Sequence, residues 1–206
     1  MTPDSRTGSR DGARTTTADI VILGAGVMGA SIAFHLAQRR AGKVIVIDKG
    51  HVAQGGSGRS SALVRMHYSY SPEVQLALVS LRMVENWREV VGPEGDFRKT
   101  GFVRIVHPGE TERLKQNVEM QRRLGVNVKL IGRQELKDLE PDWAVEEVEL
   151  AAYEPDSGYG DGAGVASDFL TRARELGVTY QSKTQALEFL VEDGRVRGVR
   201  DRKSVV

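Results

Sequence analysis

The sequence predicts an α/β fold built on a parallel β-α-β unit and interrupted by an α+β region. Three features carry this prediction. "DIVIL" at residues 19–23 is a short apolar run ending at a glycine, the pattern of a strand buried on both faces. Residues 28–40 then show helical spacing, with Ile32, Leu36 and small alanines on the packing face. "KVIVID" at residues 43–48 is a second apolar run, and it closes on a carboxylate. The unit fills about 30 residues, the size of one parallel crossover.

The link between first strand and helix is Gly24, Ala25, Gly26, Val27, Met28 and Gly29, a G-x-G-x-x-G loop of Rossmann type. Gly24 allows the tight turn off the strand. Gly26 lets the backbone approach a pyrophosphate, and Gly29 lets helix and strand pack closely. The helix N-terminus adds N–H donors and a partial positive charge. Asp48, at the end of the second strand, stands where a carboxylate binds the ribose hydroxyls of a dinucleotide. That carboxylate would repel a 2′-phosphate and so disfavours NADP. Lys49 beside it could soften the repulsion but is more simply a solvated neighbour.

Beyond this unit comes a Gly/Ser-rich stretch, "GGSGRSSALVRMHYSY" at residues 55–70. Pro72 opens a helix marked by Val74, Leu78, Leu81, Val84 and Trp87. Strands are predicted at residues 101–106, 126–131 and 148–155, and helices at 110–124 and 133–139. A helix is expected over residues 169–176, capped by Ser167 or Asp168 and ended by Gly177. A short strand "VTYQS" and a hairpin turning at Asp193-Gly194 complete the order.

Composition narrows the function. The 206 residues carry a net charge of +1, which gives no electrostatic case for nucleic acid or an anionic membrane. No apolar run approaches the ~20 residues a membrane span needs. There is no cysteine, so disulfides, thiolate metal sites and a cysteinyl flavin link are excluded within these residues. His35, His51, His67 and His107 show no metal-ligand spacing, and no metal is expected. Residues 1–18 are polar, lack the apolar core of a secretory signal and read as a disordered leader. Asp4 and Asp11 count against a transit peptide, leaving a cytoplasmic location as the expectation.

The glycine loop alone does not choose between NAD and FAD. The following residues do: "GSGRSSALVRMHYS", "TGFVRIV", "LKDLEPDW", "YEPDSGYGD" and "VEDGRVRGV". With the glycine loop they resemble the FAD-dependent amine and amino-acid oxidoreductases of the D-amino-acid oxidase type. The similarity is strongest to the sarcosine oxidase β-subunit, dimethylglycine dehydrogenase and glycine oxidase group. It runs from residue 19 to about residue 200.

That resemblance implies an α/β, Rossmann-like FAD-binding fold of the glutathione-reductase type, here incomplete, with part of an α+β substrate domain. Residues 19–90 and 156–200 would belong to the FAD-binding domain and 91–155 to the substrate domain. Ser57, Arg59, Ser60 and Ser61 would line the FAD, and Ala186 would lie where the family's backbone brackets the adenine. Arg65 matches the stretch that carries a substrate-carboxylate arginine, a role suited to a guanidinium fork. His67 and Tyr68 are candidates for the same pocket. No histidine stands in residues 54–62 to tether a flavin, and residues 156–161 are expected to be structural.

The implied chemistry is oxidation of the C–N bond of a secondary or tertiary amino acid (sarcosine, dimethylglycine or glycine-like) by hydride transfer to flavin. A partner subunit is compatible with the resemblance. Two alternatives stand beside it: an NAD-dependent dehydrogenase, and a catalytically silent FAD-binding fragment or subunit. Chains of this type continue past such a hairpin, so the sequence reads as an N-terminal part that is marginally stable or aggregation-prone alone. Its last six residues, "DRKSVV" at 201–206, coincide with an in-frame translation of common sequencing-adapter DNA and are expected to be a non-native tail.

Overall fold

The computed structural model describes residues 14–93, 97–201 and 204–205. Residues 1–13 of the expected leader, and residues 202, 203 and 206 of the expected tail, lie outside them. The chain forms two compact units. One runs up to Gln54 and resumes at Phe169; the other is Gly55–Asp168. The sequence places the boundaries after residues 90 and 155 instead. The difference has a packing cause. Met66, Val74 and Leu81 share one buried core with Leu114, Val118 and Ala152, which keeps residues 55–90 in the second unit. Phe169 stacks on Phe34 at 5.4 Å between ring centroids, within the first.

The first unit begins with β1 (Arg14–Thr15), β2 (Ile20–Leu23), α1 (Val27–Gln38) and β3 (Val44–Ile47). All four residues of β3 are buried, as its unbroken apolar run requires. β2 and β3 pair in parallel, Ile20 opposite Val44 through Leu23 opposite Ile47. α1 covers them with Ala30, Ala33 and Phe34, all fully buried.

The second unit holds β4 (Leu63–Val64), α2 (Ser71–Glu85), α3 (Trp87–Val90), β5 (Arg98–Lys99) and β6 (Phe102–Ile105). It continues with α4 (Thr111–Arg123), β7 (Lys129–Ile131), α5 (Arg133–Leu139), β8 (Ala151–Glu154) and β9 (Gly158–Tyr159). β8 lies between β6 and β7, antiparallel to both. The two-residue strands β4 and β5 flank β9; no sequence periodicity announces so short a sheet.

The boundary between units falls inside α6 (Gly162–Glu175). This helix starts seven residues before the expected 169, so Ser167 and Asp168 are interior residues and not its caps. Asp161 accepts the Ala163 N–H at 2.9 Å and takes the capping role. Gly162 looked like part of a loop, but its glycine serves packing: a Cβ there would sit 2.4 Å from the Ser57 carbonyl oxygen. Asp168 instead accepts the Trp87 indole N–H at 2.7 Å, fixing α3 against α6 within the second unit.

The chain re-enters the first unit through Gly177, whose φ of +101° ends α6 as expected. β10 (Thr179–Gln181) joins β3 in parallel, completing the order β10-β3-β2. β11 (Glu188–Glu192) and β12 (Arg195–Arg200) form the expected hairpin, with Asp193 and Gly194 at φ +49° and +72°. β13 (Ser204–Val205) pairs with β12 and with β1. Val199 of β12 packs on Ile45 and Ile47, joining the hairpin to the parallel sheet.

Residues 156–161 do hold structure together. The Asp156 carboxylate accepts from Asn127 at 2.8 Å and from Lys99 at 3.0 Å, and Lys99 also reaches Glu85. The Asn127 hydrogen bond, then the Lys99 ammonium, hold the Asp156 pKa below its ordinary 3.8; Asp156, then Glu85, raise that of Lys99 above 10.5. A lowered carboxylate contributes stability that is present above pH 3.8 and lost as pH falls through its folded value. A raised ammonium contributes below pH 10.5 and loses it as pH rises through its own folded value. These side chains are a third to nearly half exposed, so each contact is worth about 0.5 kcal/mol after solvent screening. Asp156→Asn is expected to lower the urea midpoint slightly at pH 7, with the gap to wild type closing below pH 3.8.

Candidate functional site

Two constellations carry the candidate residues, one in each unit. In the first, Gly24 leaves β2 at a φ of +103° and donates its N–H to the Ile47 carbonyl at 2.8 Å. That turn brings the chain onto α1 directly. Gly26 stands at the N-cap in an extended conformation and, as a glycine, brings no side-chain cap of its own. A Cβ on Gly29 would come within 1.9 Å of the Gly24 carbonyl oxygen, so the loop and helix are in close contact there. Ala25 is fully buried, whereas Met28 is 73% exposed beside the helix start.

Asp48 does more than the sequence indicated. Its Oδ2 accepts the Ala25 N–H at 2.7 Å and its Oδ1 accepts the Gly50 N–H at 2.7 Å. The carboxylate thus braces the glycine loop against the end of β3. Each oxygen has further acceptor capacity, since a carboxylate offers about four lone-pair sites. Lys49 is exposed. Ala186 packs against the Ile45, Ile47 and Val199 cluster, so its side chain serves the core. Buried beside Asp48, the Tyr180 hydroxyl has its pKa raised, first by desolvation and then by that carboxylate.

In the second unit, Ser57, Gly58 and Arg59 form a 3-10 turn, with Arg59, Ser60 and Ser61 exposed. The Ser60 hydroxyl oxygen accepts the Ala62 N–H at 3.0 Å, which fixes the turn into β4. Residues 65–68 then run as a strap over the core. Arg65 lies with its guanidinium carbon 4.5 Å from the Tyr68 ring centroid and 5.6 Å from that of Phe102. Its Nη1 donates to the His67 carbonyl. Arg65, His67, Tyr68, Phe102 and Asn117 line a cavity of about 650 Å³. The three predicted substrate-side residues are therefore brought together in one concave space.

Two residues that sequence reasoning passed over hold this strap. Glu154, fully buried at the end of β8, accepts the Met66 N–H at 2.9 Å and the Ser157 hydroxyl at 2.7 Å through Oε2. Its Oε1 faces His67 Nδ1 at 3.4 Å. Gln121, fully buried on α4, donates to the Tyr68 carbonyl at 3.2 Å. Each had a signal available. Glu154 closes an otherwise apolar strand, and Gln121 falls on the buried stripe of Leu114 and Val118.

Among the described residues no group of His, Asp and Glu is placed to hold a metal. No helix among them is long and apolar enough to cross a membrane.

The chain is similar to several known proteins. The L-proline dehydrogenase structure from P. horikoshii superposes with a TM-score of 0.87 at 28% identity, covering 94% of this chain and 51% of that one. The chain is 25% identical over 195 residues to sarcosine oxidase subunit beta of an Arthrobacter species, covering 91% of this chain and 48% of that protein. It is 24% identical over 192 residues to the mouse mitochondrial pyruvate dehydrogenase phosphatase regulatory subunit, covering 92% of this chain and 22% of that protein. The chain thus spans about half or less of the length of these relatives. The model of the FAD dependent oxidoreductase (DAO) family matches residues 19–206. The family's cofactor is FAD, and a glycine loop packed closely on the start of α1 and a carboxylate at the second strand's end suit the adenosine and pyrophosphate parts of that molecule. The chain belongs to the DAO family of FAD dependent oxidoreductases.

Proposed function

We propose that this chain is the part of an FAD-dependent oxidoreductase that holds the cofactor's adenosine half and anchors an amino-acid substrate by its carboxylate. The carrying observation is Arg65: a guanidinium laid on two aromatic faces, lining a cavity, with its fork held by a backbone carbonyl. Such a group is desolvated enough to bind a carboxylate strongly yet positioned before the ligand arrives.

Gly24 through Gly29 would face the pyrophosphate, and the remaining acceptor positions of Asp48 would take the ribose hydroxyls. Ser57, Arg59, Ser60 and Ser61 would supply further hydroxyl and cationic contacts to the cofactor, and the backbone at Ala186 a contact to the adenine. Arg65 would fix the substrate carboxylate, with Tyr68 and Phe102 shielding the pair from water. FAD, when bound, supplies the acceptor for a hydride from the carbon next to the substrate nitrogen. Sarcosine and proline, named in two relatives, are both secondary amino acids. This supports a secondary or tertiary amino acid, or one of glycine's size, as the substrate. Two relatives are named as subunits, which supports a partner chain for the working enzyme.

The test is anaerobic mixing of FAD-loaded protein with sarcosine, dimethylglycine, proline or glycine, followed by flavin absorbance. Bleaching by at least one of them is expected, with Arg65→Gln raising the concentration required. Bound FAD that none of them bleaches favours the catalytically silent subunit. The family match is to FAD dependent oxidoreductases, which weighs against the NAD-dependent alternative.

A further inference from the structure

We propose that Glu154 is the positioning residue of the carboxylate anchor: it sets the His67 ring in its Nδ1–H tautomer and pins the strap that aims Arg65. This rests on the reading of Arg65 as the anchor. The observations are geometric. Glu154 is fully buried, and both oxygens are turned to the strap or its neighbour. Oε2 has two donors, Met66 N–H and Ser157 O–H. Oε1 and His67 Nδ1 face one another at 3.4 Å, both buried and neither making a hydrogen bond.

On the far side of the ring, the Asn117 amide nitrogen lies 3.3 Å from His67 Nε2. An amide nitrogen only donates, so Nε2 accepts and the ring proton sits on Nδ1, on the side of the ring that faces Glu154. The His67 carbonyl then receives the Arg65 guanidinium. One buried carboxylate therefore governs a backbone N–H, a ring orientation and, through the His67 main chain, the guanidinium. The groups are far apart in sequence, Met66 and Glu154 being 88 positions apart, so only the folded second unit assembles them.

Glu154→Gln distinguishes this role from mere packing, because it keeps the volume and changes the hydrogen-bond sense. The glutamine oxygen can still accept from Met66 and Ser157, but its NH₂ then faces Nδ1. The ring must present a lone pair there and carry its proton on Nε2, with the Asn117 amide turned over. Nitrogen NMR of ¹⁵N-histidine-labelled protein reads the tautomer directly and needs neither flavin nor substrate. His67 is expected as Nδ1–H in the wild type and Nε2–H in Glu154→Gln. An Nε2–H ring in the wild type, or an unchanged ring in the variant, overturns the proposal. If the variant does not fold, the wild-type ring decides.

Titration with propanoate, a carboxylate that cannot be oxidised at a C–N bond, gives the second readout. Glu154→Gln is expected to weaken it about tenfold, the equivalent of one charge-assisted hydrogen bond. Unchanged propanoate affinity despite a switched ring overturns the coupling to Arg65. If Arg65→Gln itself leaves propanoate binding intact, the anchor reading fails, while the tautomer result still judges the role of Glu154 toward His67.

Discussion

Gly29→Ala is expected to abolish flavin binding and to destabilise the first unit by about 3 kcal/mol or more. The added Cβ would lie 1.9 Å from the Gly24 carbonyl oxygen, 3.1 Å from its carbon and 3.3 Å from Ile22 Cγ2. Normal carbon–oxygen contacts are about 3.3 Å or longer, so the overlap exceeds an ångström. The obstructing atom belongs to the backbone of the same loop and cannot rotate aside. Relief requires α1 to move away from β2, and that movement strips Ala30, Ala33 and Phe34 from the sheet they cover. It also displaces the N–H groups proposed to face the pyrophosphate. Gly55→Ala is the matched control, since a Cβ there meets nothing within 4 Å. Urea denaturation and retained flavin absorbance should separate the two variants, with the control within about 0.5 kcal/mol of wild type.

The second large effect is expected at Arg65. Arg65→Gln should weaken propanoate binding about a hundredfold, because two charge-assisted hydrogen bonds of about 1.5 kcal/mol each are lost. Arg65→Lys should recover only part of this, since an ammonium cannot make the bidentate fork. Stability should fall less than affinity. The stacking on Tyr68 and Phe102 is worth roughly 0.5–1 kcal/mol per ring. A titration calorimeter and a thermal melt on the same samples measure both quantities. Equal affinities for wild type and Arg65→Gln would remove Arg65 from the substrate site.

The legible part of this molecule is the part whose constraints are local. Gly24, Gly26 and Gly29 lie within six residues, and each answers to its immediate neighbours. The hairpin at Asp193-Gly194 was readable for the same reason, as both residues adopt the positive φ their types tolerate. The buried strand β3 was written in its own apolar run. Arg65, His67 and Tyr68 were found through resemblance, and the cavity they share was not visible from spacing.

What escaped was long-range. The Met66–Glu154 hydrogen bond joins residues 88 positions apart, and nothing near either one announces the other. Gln121 looked like one more polar residue on a charged helix until its burial placed it under Tyr68. The early start of α6 was hidden because Gly162 and Gly164 resemble loop glycines; Gly162 instead accommodates the Ser57 carbonyl. The division at Gln54 is not legible in the sequence: the cofactor contacts that the resemblance implies for Ser57, Arg59, Ser60 and Ser61 suggest one domain, whereas packing groups that segment with the second unit.

The central claim is that the glycine loop and Asp48 form a cradle for FAD. Equilibrium titration of the chain with FAD, NAD and NADP tests it most directly. The account predicts saturable binding of one FAD per chain, no competition from either nicotinamide, and at least a tenfold loss in Asp48→Ala, which removes the brace on Ala25 and Gly50 along with the ribose acceptor. NAD binding as tight as FAD, or FAD binding indifferent to Asp48→Ala and Gly29→Ala, would contradict it.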